Sequence, residues 1–288
     1  MDSPPRLLYK YLSPERATIL AHRRIRFTPL GAFNDPFEGR PSVTTLAPDS
    51  ELRRLIKDLL PSEAKRAYDW LPPHMREAVP FDMFESAAAQ LATAKEPEML
   101  QIVAGITKDV TQLIHTKVDE FFGVLSLSEV RDSLLMWSHY AASHTGLVLG
   151  FDPRHSYFNR RKTENDELRH LRRVQYRDSR PSGALTGMDG IDLFFVKSVH
   201  WSYEREWRML VPLEDAAEVI SSVPYAIHLF DFPAAAVKEV IVGARMTDAN
   251  RDAVLSSVRA CGSIADIQVK QAVPDATDFK LRLDELPV

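Results

Sequence analysis

Glu204-Arg205-Glu206 places two carboxylates two residues apart in a stretch, Arg205 to Val211, that reads as a β-strand. Alternate side chains on a strand share a face, so Glu204, Glu206 and Arg208 are expected on one side. Arg205, Trp207, Met209 and Val211 are expected on the other, buried side. Neighbouring carboxylates perturb each other's ionisation and can steady a developing cation or serve as a general base. The same spacing also reads as a solvated strand face with weak Glu-Arg pairs. Ser126-Leu127-Ser128 presents two hydroxyls on one strand face, able to orient a carboxylate or contact a ribose, or simply to end the strand. His139, in Met136-Trp137-Ser138-His139-Tyr140, is a candidate general base near the end of a helix expected over Ser133 to Ala142. Asn34-Asp35-Pro36-Phe37-Glu38 is a turn by composition; Asp35 and Glu38 can line a pocket with Tyr9 and Tyr11 if the first strand is central.

These residues need elements to hold them. Leu7 to Leu12, Arg16 to Arg23 and Ile25 to Thr28 read as strand, helix and strand. From 49 to 118 the apolar period becomes helical: Leu52, Leu55, Ile56 and Leu59, then Met99, Ile102, Val103, Ile106, Val110 and Leu113. Breaks are expected at Pro61, Pro72-Pro73 and Pro80. Strands return at Phe121 to Leu127, Leu147 to Phe151, Ile227 to Phe232, Val237 to Val242, Ile264 to Val269 and Phe279 to Leu283, with a helix over Thr247 to Arg259. The expected fold is α+β, a mainly antiparallel sheet core formed by 1–48 and 119–288, interrupted by a helical insertion at 49–118.

Composition excludes several classes. The 288 residues are 45% apolar and 26% charged, which fits a globular chain with a core, and the net charge is −4. A single cysteine, Cys261, precludes an internal disulfide or a thiolate-cluster metal site within one chain and points to a cytoplasmic setting. No run approaches the roughly 18 apolar residues of a membrane helix. The 11 glycines form no dinucleotide-binding, phosphate-loop or hydrolase-elbow signature, and HExxH is absent. Residues 154–180 hold nine Arg or Lys against four acids. That stretch reads as a basic loop able to meet a phosphate backbone, or as a solvated surface.

Several of these segments together resemble one family. Leu8-Tyr9-Lys10-Tyr11, Phe33-Asn34-Asp35-Pro36-Phe37-Glu38, Leu125-Ser126-Leu127-Ser128, Leu135-Met136-Trp137-Ser138-His139-Tyr140-Ala141, His144-Thr145-Gly146 and Trp201 through Arg208 are similar to domain-of-unknown-function family 2971. Some bacterial members of that family are labelled abortive-infection proteins of the AbiGi type, which implies phage defence. A looser resemblance is to mono-ADP-ribosyltransferases, whose ordered signature is an early basic residue, an SxS strand and a late ExE pair. Here these are Lys10 or Arg26, Ser126-Leu127-Ser128 and Glu204-Arg205-Glu206. That resemblance implies an ADP-ribosyltransferase-like sheet and NAD as substrate, with no metal. Glu206 would stabilise the oxocarbenium-like transition state, Ser126 would orient it, and Glu204 would activate the acceptor. Tyr9, Tyr11 and Tyr140, with Lys10, Ser128, Asp35 and Arg208, would contact NAD.

Two other readings remain open at this level. His139 with Asp35, Glu38, Glu204 or Glu206 could serve a metal-dependent hydrolase or nuclease. The basic stretch could serve a non-enzymatic sensor that binds nucleic acid or protein.

Overall fold

A computed structural model describes residues 3–262 and 266–287. In chain order the elements begin with β1 (Leu8–Leu12), α1 (Ile19–His22), β2 (Arg24–Phe27) and β3 (Ser42–Thr45). Three helices follow: α2 (Asp49–Asp69), α3 (Pro73–Ala78) and α4 (Phe81–Phe121). Next come β4 (Phe122–Ser128), α5 (Leu134–Tyr140), β5 (Leu147–Phe151), β6 (Leu171–Arg173), β7 (Gln175–Arg177), β8 (Ser182–Ala184), β9 (Val196–Ser198) and β10 (Glu206–Pro212). The chain closes with β11 (Glu218–Ile220), β12 (Ile227–Asp231), β13 (Val237–Val242), α6 (Asp248–Ala260), β14 (Gln268–Pro274) and β15 (Leu281–Glu285). The protein is thus α+β with a large, mostly antiparallel sheet.

The chain forms two compact units. The first comprises 1–40, 117–179 and 191–288; the second comprises 41–116 and 180–190. In the first, eight strands run in the order β15-β14-β13-β5-β1-β4-β10-β6, antiparallel throughout except for the β13–β14 pair. A three-stranded sheet, β11-β12-β2, and a parallel β7–β9 pair complete its strands. Leu8, Leu125, Leu127, Leu149, Trp207 and Met209 belong to its main core, joined by Val254 and Val258 of α6. Alternation explains which side chains these are, since Tyr9 and Tyr11 of β1 enter a second core with Trp137 of α5. Ser133 caps α5 by accepting from the Met136 N–H, and Thr247 caps α6 through Asn250.

One feature of the large sheet positions the site. β1 and β4 share a single register pair, Tyr9↔Ser128, and further along β4 the neighbour becomes Thr28, bridged to Val124. β4 therefore changes partners at Ser126, whose carbonyl instead accepts from Lys10 Nζ at 3.0 Å.

The second unit contains α2, α3, most of α4 and a parallel pairing of β3 with β8, which brings 180–190 together with the helices. The helices run through Pro61 and Pro97 and break near Pro72 and Pro80. Pro61 is thus not a boundary: a proline removes one backbone donor, and the rest of a 21-residue helix outlasts that loss. Met99, Ile102, Ile106 and Leu113 share α4 as their spacing required, yet all four remain exposed.

Several expected strands shift by a residue or two at their ends. The segment expected from Ile264 begins outside the described residues and is a strand from Gln268. The Arg205–Val211 strand starts at Glu206, because Arg205 is left-handed (φ 44°) and closes a turn that includes Glu204. Nor does this strand have a solvated face, since Glu206 through Val211 are buried on both sides. The 154–180 stretch is not one loop: β6 pairs with β10, and Arg154, Arg169 and Arg172 are held by Asp152, by Asp166 and Asp215, and by Asp192 respectively.

His144-Thr145-Gly146 is architectural. Ala142, Ser143 and His144 are all left-handed, and a Cβ on Gly146 would lie 2.0 Å from the Leu12 carbonyl oxygen. Gly146→Ala should therefore lower unfolding free energy by about 1–3 kcal/mol, since neither backbone can yield without moving β1 from β5; urea denaturation measures it.

Candidate functional site

Where β4 changes neighbours the first unit holds a cavity of about 380 Å³. Its lining includes Tyr9, Lys10 and Tyr11 of β1, Arg26 of β2, Ser126 and Ser128 of β4, His139 and Tyr140 of α5, Lys197 of β9, and Asn34, Glu38, Glu204 and Glu206.

The wall is organised by five buried charges. Lys197 Nζ lies 2.5 Å from Glu204 Oε2 and 3.2 Å from both Glu206 Oε2 and Glu38 Oε1. Arg208, with no exposed surface, clamps Glu206 in bidentate fashion at 2.8 Å through Nε and Nη2, contacts Glu38, and donates through Nη1 to the Phe194 carbonyl at 2.6 Å. Three carboxylates thus face two cations, leaving one negative charge in excess. Burying charge costs several kcal/mol per ion unless partners compensate it, so the members of this cluster require one another.

Ionisation follows from this arrangement. Burial pushes the Glu206 carboxyl up, but Arg208 and Lys197 outweigh it and hold it at about 2. For Glu204 burial prevails over Lys197, and the charge of Glu206 adds to it, so this carboxyl is raised. Tyr140 donates to Glu204 Oε1 at 2.6 Å and accepts from Asn34 Nδ2 at 3.1 Å; burial and then Glu204 raise the Tyr140 phenol. Two adjacent carboxylates are therefore differentiated: one fixed as an anion, the other easier to protonate and tied to a phenol.

The remaining expected residues divide by what their polar atoms do. Ser126 hydrogen-bonds the Glu206 carboxylate, helping to hold it ionised. Ser128 donates to the Glu204 carbonyl at 2.6 Å and accepts from the Val130 N–H, so it anchors the backbone of Glu204 rather than its carboxylate. Tyr11 donates to the Val130 carbonyl at 2.9 Å and sets its ring edge against Trp137, and Tyr9 directs its hydroxyl toward Arg131 and Glu239. Both tyrosines offer the cavity their rings. His139 lines the cavity while remaining exposed.

Two expected ligand contacts are not on the cavity wall. Asp35 accepts from the Phe37 N–H at 2.9 Å and shapes its own turn. Arg208 lies behind Glu206 and Glu38, its guanidinium consumed by them. Conversely, Lys197 stands at the centre of the cluster without having been anticipated. The available signal was a lone lysine in the apolar run Leu193-Phe194-Phe195-Val196-Lys197. Tyr176, which accepts from the Glu206 N–H at 2.8 Å, was equally unsignalled. Among the described residues no group of three or more His, Cys, Asp or Glu is disposed to hold a metal; the three glutamates converge on Lys197 and Arg208 instead. No helix of the described residues is long and apolar enough to cross a membrane.

The fold and cavity define an α+β protein with a charge-clustered pocket at the parting of its main sheet. Residues 136–209 match the model of the family described as a protein of unknown function, DUF2971. This is the family that the separated motifs resemble, and the matched segment carries His139, Tyr140, Lys197, Glu204, Glu206 and Arg208. No curated protein and no solved structure matches the chain.

Removing Arg208 would strand Glu206 and Glu38 with Lys197 alone. Arg208→Met should cost about 3–5 kcal/mol of unfolding free energy, read from denaturant midpoints. Acid tests the same wiring. Because the Glu206 pKa is lower in the folded chain, its stabilisation is complete above about pH 4.5 and is lost as pH falls toward about 2. Glu206→Gln should flatten the stability profile across that window.

Proposed function

We propose that this protein is an NAD-dependent ADP-ribosyltransferase-like effector, with the cavity as its active site. The observation that carries the reading is convergence: Glu204, Glu206, Ser126, Ser128 and the rings of Tyr9, Tyr11 and Tyr140 all border one pocket. Breaking the N-glycosidic bond of a ribosyl pyridinium, whose ring leaves neutral with the bonding pair, puts oxocarbenium character on the sugar, which a pre-oriented negative charge stabilises. Glu206 meets that requirement, because it is held ionised, its oxygens are fixed by Arg208 and Ser126, and the cluster carries excess negative charge. Glu204, raised and bonded to Tyr140, suits the proton an acceptor must lose on attacking the sugar carbon. The rings of Tyr9, Tyr11 and Tyr140 beside the glutamates suit a flat pyridinium ring.

The β4–β10 register supports the same assignment by setting Glu206 opposite Ser128 and Arg208 opposite Ser126. Phase of action, in phage defence, comes from the family resemblance alone. A metal-dependent hydrolase finds less support, since Glu38, Glu204 and Glu206 are paired with Lys197 and Arg208 and Asp35 is bonded within its own turn.

Incubation with NAD and a cell lysate, with nicotinamide release and transfer of label as readouts, tests the proposal. Glu206→Gln should reduce release by about 100-fold or more, and Tyr140→Phe should slow transfer to the acceptor. Folded wild-type protein that neither releases nicotinamide nor labels any acceptor would defeat the reading.

A further inference from the structure

Two polar atoms around the cavity are left unused by the protein. Glu38 is 2% exposed; its Oε1 meets Lys197 and Arg208, while its Oε2 has no hydrogen-bond partner. Arg26 Nε is also buried and unpartnered. Glu38 and Arg26 both line the pocket, one belonging to the carboxylate cluster and the other lying near Lys10, whose charge it opposes. Among the described residues neither Lys10 nor Arg26 has an acidic partner within salt-bridge distance. Lys10 donates to the Ser126 carbonyl, which uses one of the three donors of an ammonium.

An unsatisfied buried acceptor and an unsatisfied buried donor on residues lining one cavity specify a complementary guest. We propose that the cavity binds a phosphorylated, hydroxyl-bearing small molecule, with its phosphoryl oxygens on Lys10 and Arg26 and one hydroxyl donating to Glu38 Oε2. The polarity admits one orientation. A phosphoryl group is repelled by the three glutamates and attracted by the two unpaired cations, whereas a hydroxyl gives Glu38 the donor it lacks. Burial, together with the neighbouring charge of Arg26, lowers the Lys10 ammonium to about 8, and a bound anion relieves both effects. A volume of about 380 Å³ accommodates a sugar phosphate or part of a nucleotide. The inference deepens the proposed activity in its substrate class and rests on that reading only for the location of the site.

Calorimetric titration with inorganic phosphate and with ribose 5-phosphate tests it. Wild type should bind ribose 5-phosphate about 10-fold or more tightly than phosphate, the worth of a hydrogen bond to a charged acceptor. Glu38→Gln, which turns an amide donor toward the hydroxyl, should erase that preference while keeping phosphate binding. Arg26→Gln should weaken both ligands, and Arg259→Gln, an exposed helix position, should change neither. If Glu38→Gln does not fold, deoxy analogues of ribose 5-phosphate on wild type read the same contact, and at least one should lose the preference. Equal affinity for phosphate and ribose 5-phosphate in wild type, or unchanged binding in Arg26→Gln, overturns the inference. The expected binding pattern without NAD cleavage defeats only the transferase reading, and NAD cleavage without that pattern defeats only this one.

Discussion

Lys197 and Arg208 hold three glutamates that the fold gathers inside a protein interior. Low-dielectric surroundings make unpaired charge intolerable, so β9, β10, the turn before β10 and the Asn34–Glu38 turn must keep their mutual positions for either cation to remain satisfied. The cluster is consequently more than a polar patch within a sheet. It is a geometric constraint that ties the continuous run 196–212 to the distant Asn34–Glu38 turn. It also explains why the ionisation of Glu204 and Glu206 diverges although they are two residues apart. Glu206 receives the bidentate guanidinium, and Glu204 receives a phenol and a shared ammonium.

How much of this was legible in the sequence depends on whether an interaction is local. Periodicity and caps are local, and they located most strands, the capped helices α5 and α6, and the helical run after Asp49. The Glu204-Arg205-Glu206 and Ser126-Leu127-Ser128 motifs were visible because spacing alone marks them. The left-handed turn at Arg205 was not, since nothing in residue types distinguished a strand beginning at Arg205 from one beginning at Glu206. The sequence shows the charge of Arg208 but not its partners, since Glu38 lies 170 residues away. Lys197 and Tyr176 reach the site only through tertiary packing, and a short strand with one lysine carries no motif.

The aromatic residues show the same limit. Tyr9 and Tyr11 were identified by alternation, and alternation did place them on one face of β1. Their hydroxyls, however, are committed to Arg131 and Glu239 and to the Val130 carbonyl, contacts that only the folded chain defines. Helical periodicity likewise predicts that the residues of a stripe share a side without revealing whether anything covers it, and on α4 Ile102 and Leu113 stay open to solvent.

The change of partner along β4 separates two properties that many pockets entangle. The glutamate cluster resides on the β10 flank, where ion pairs lock the backbone, whereas Lys10 of β1 and Arg26 of β2 bring positive charge from the other flank. Substitutions at Lys10 or Arg26 can therefore remove positive charge from that flank without breaking an ion pair of the β10 cluster, so the two flanks are free to vary separately.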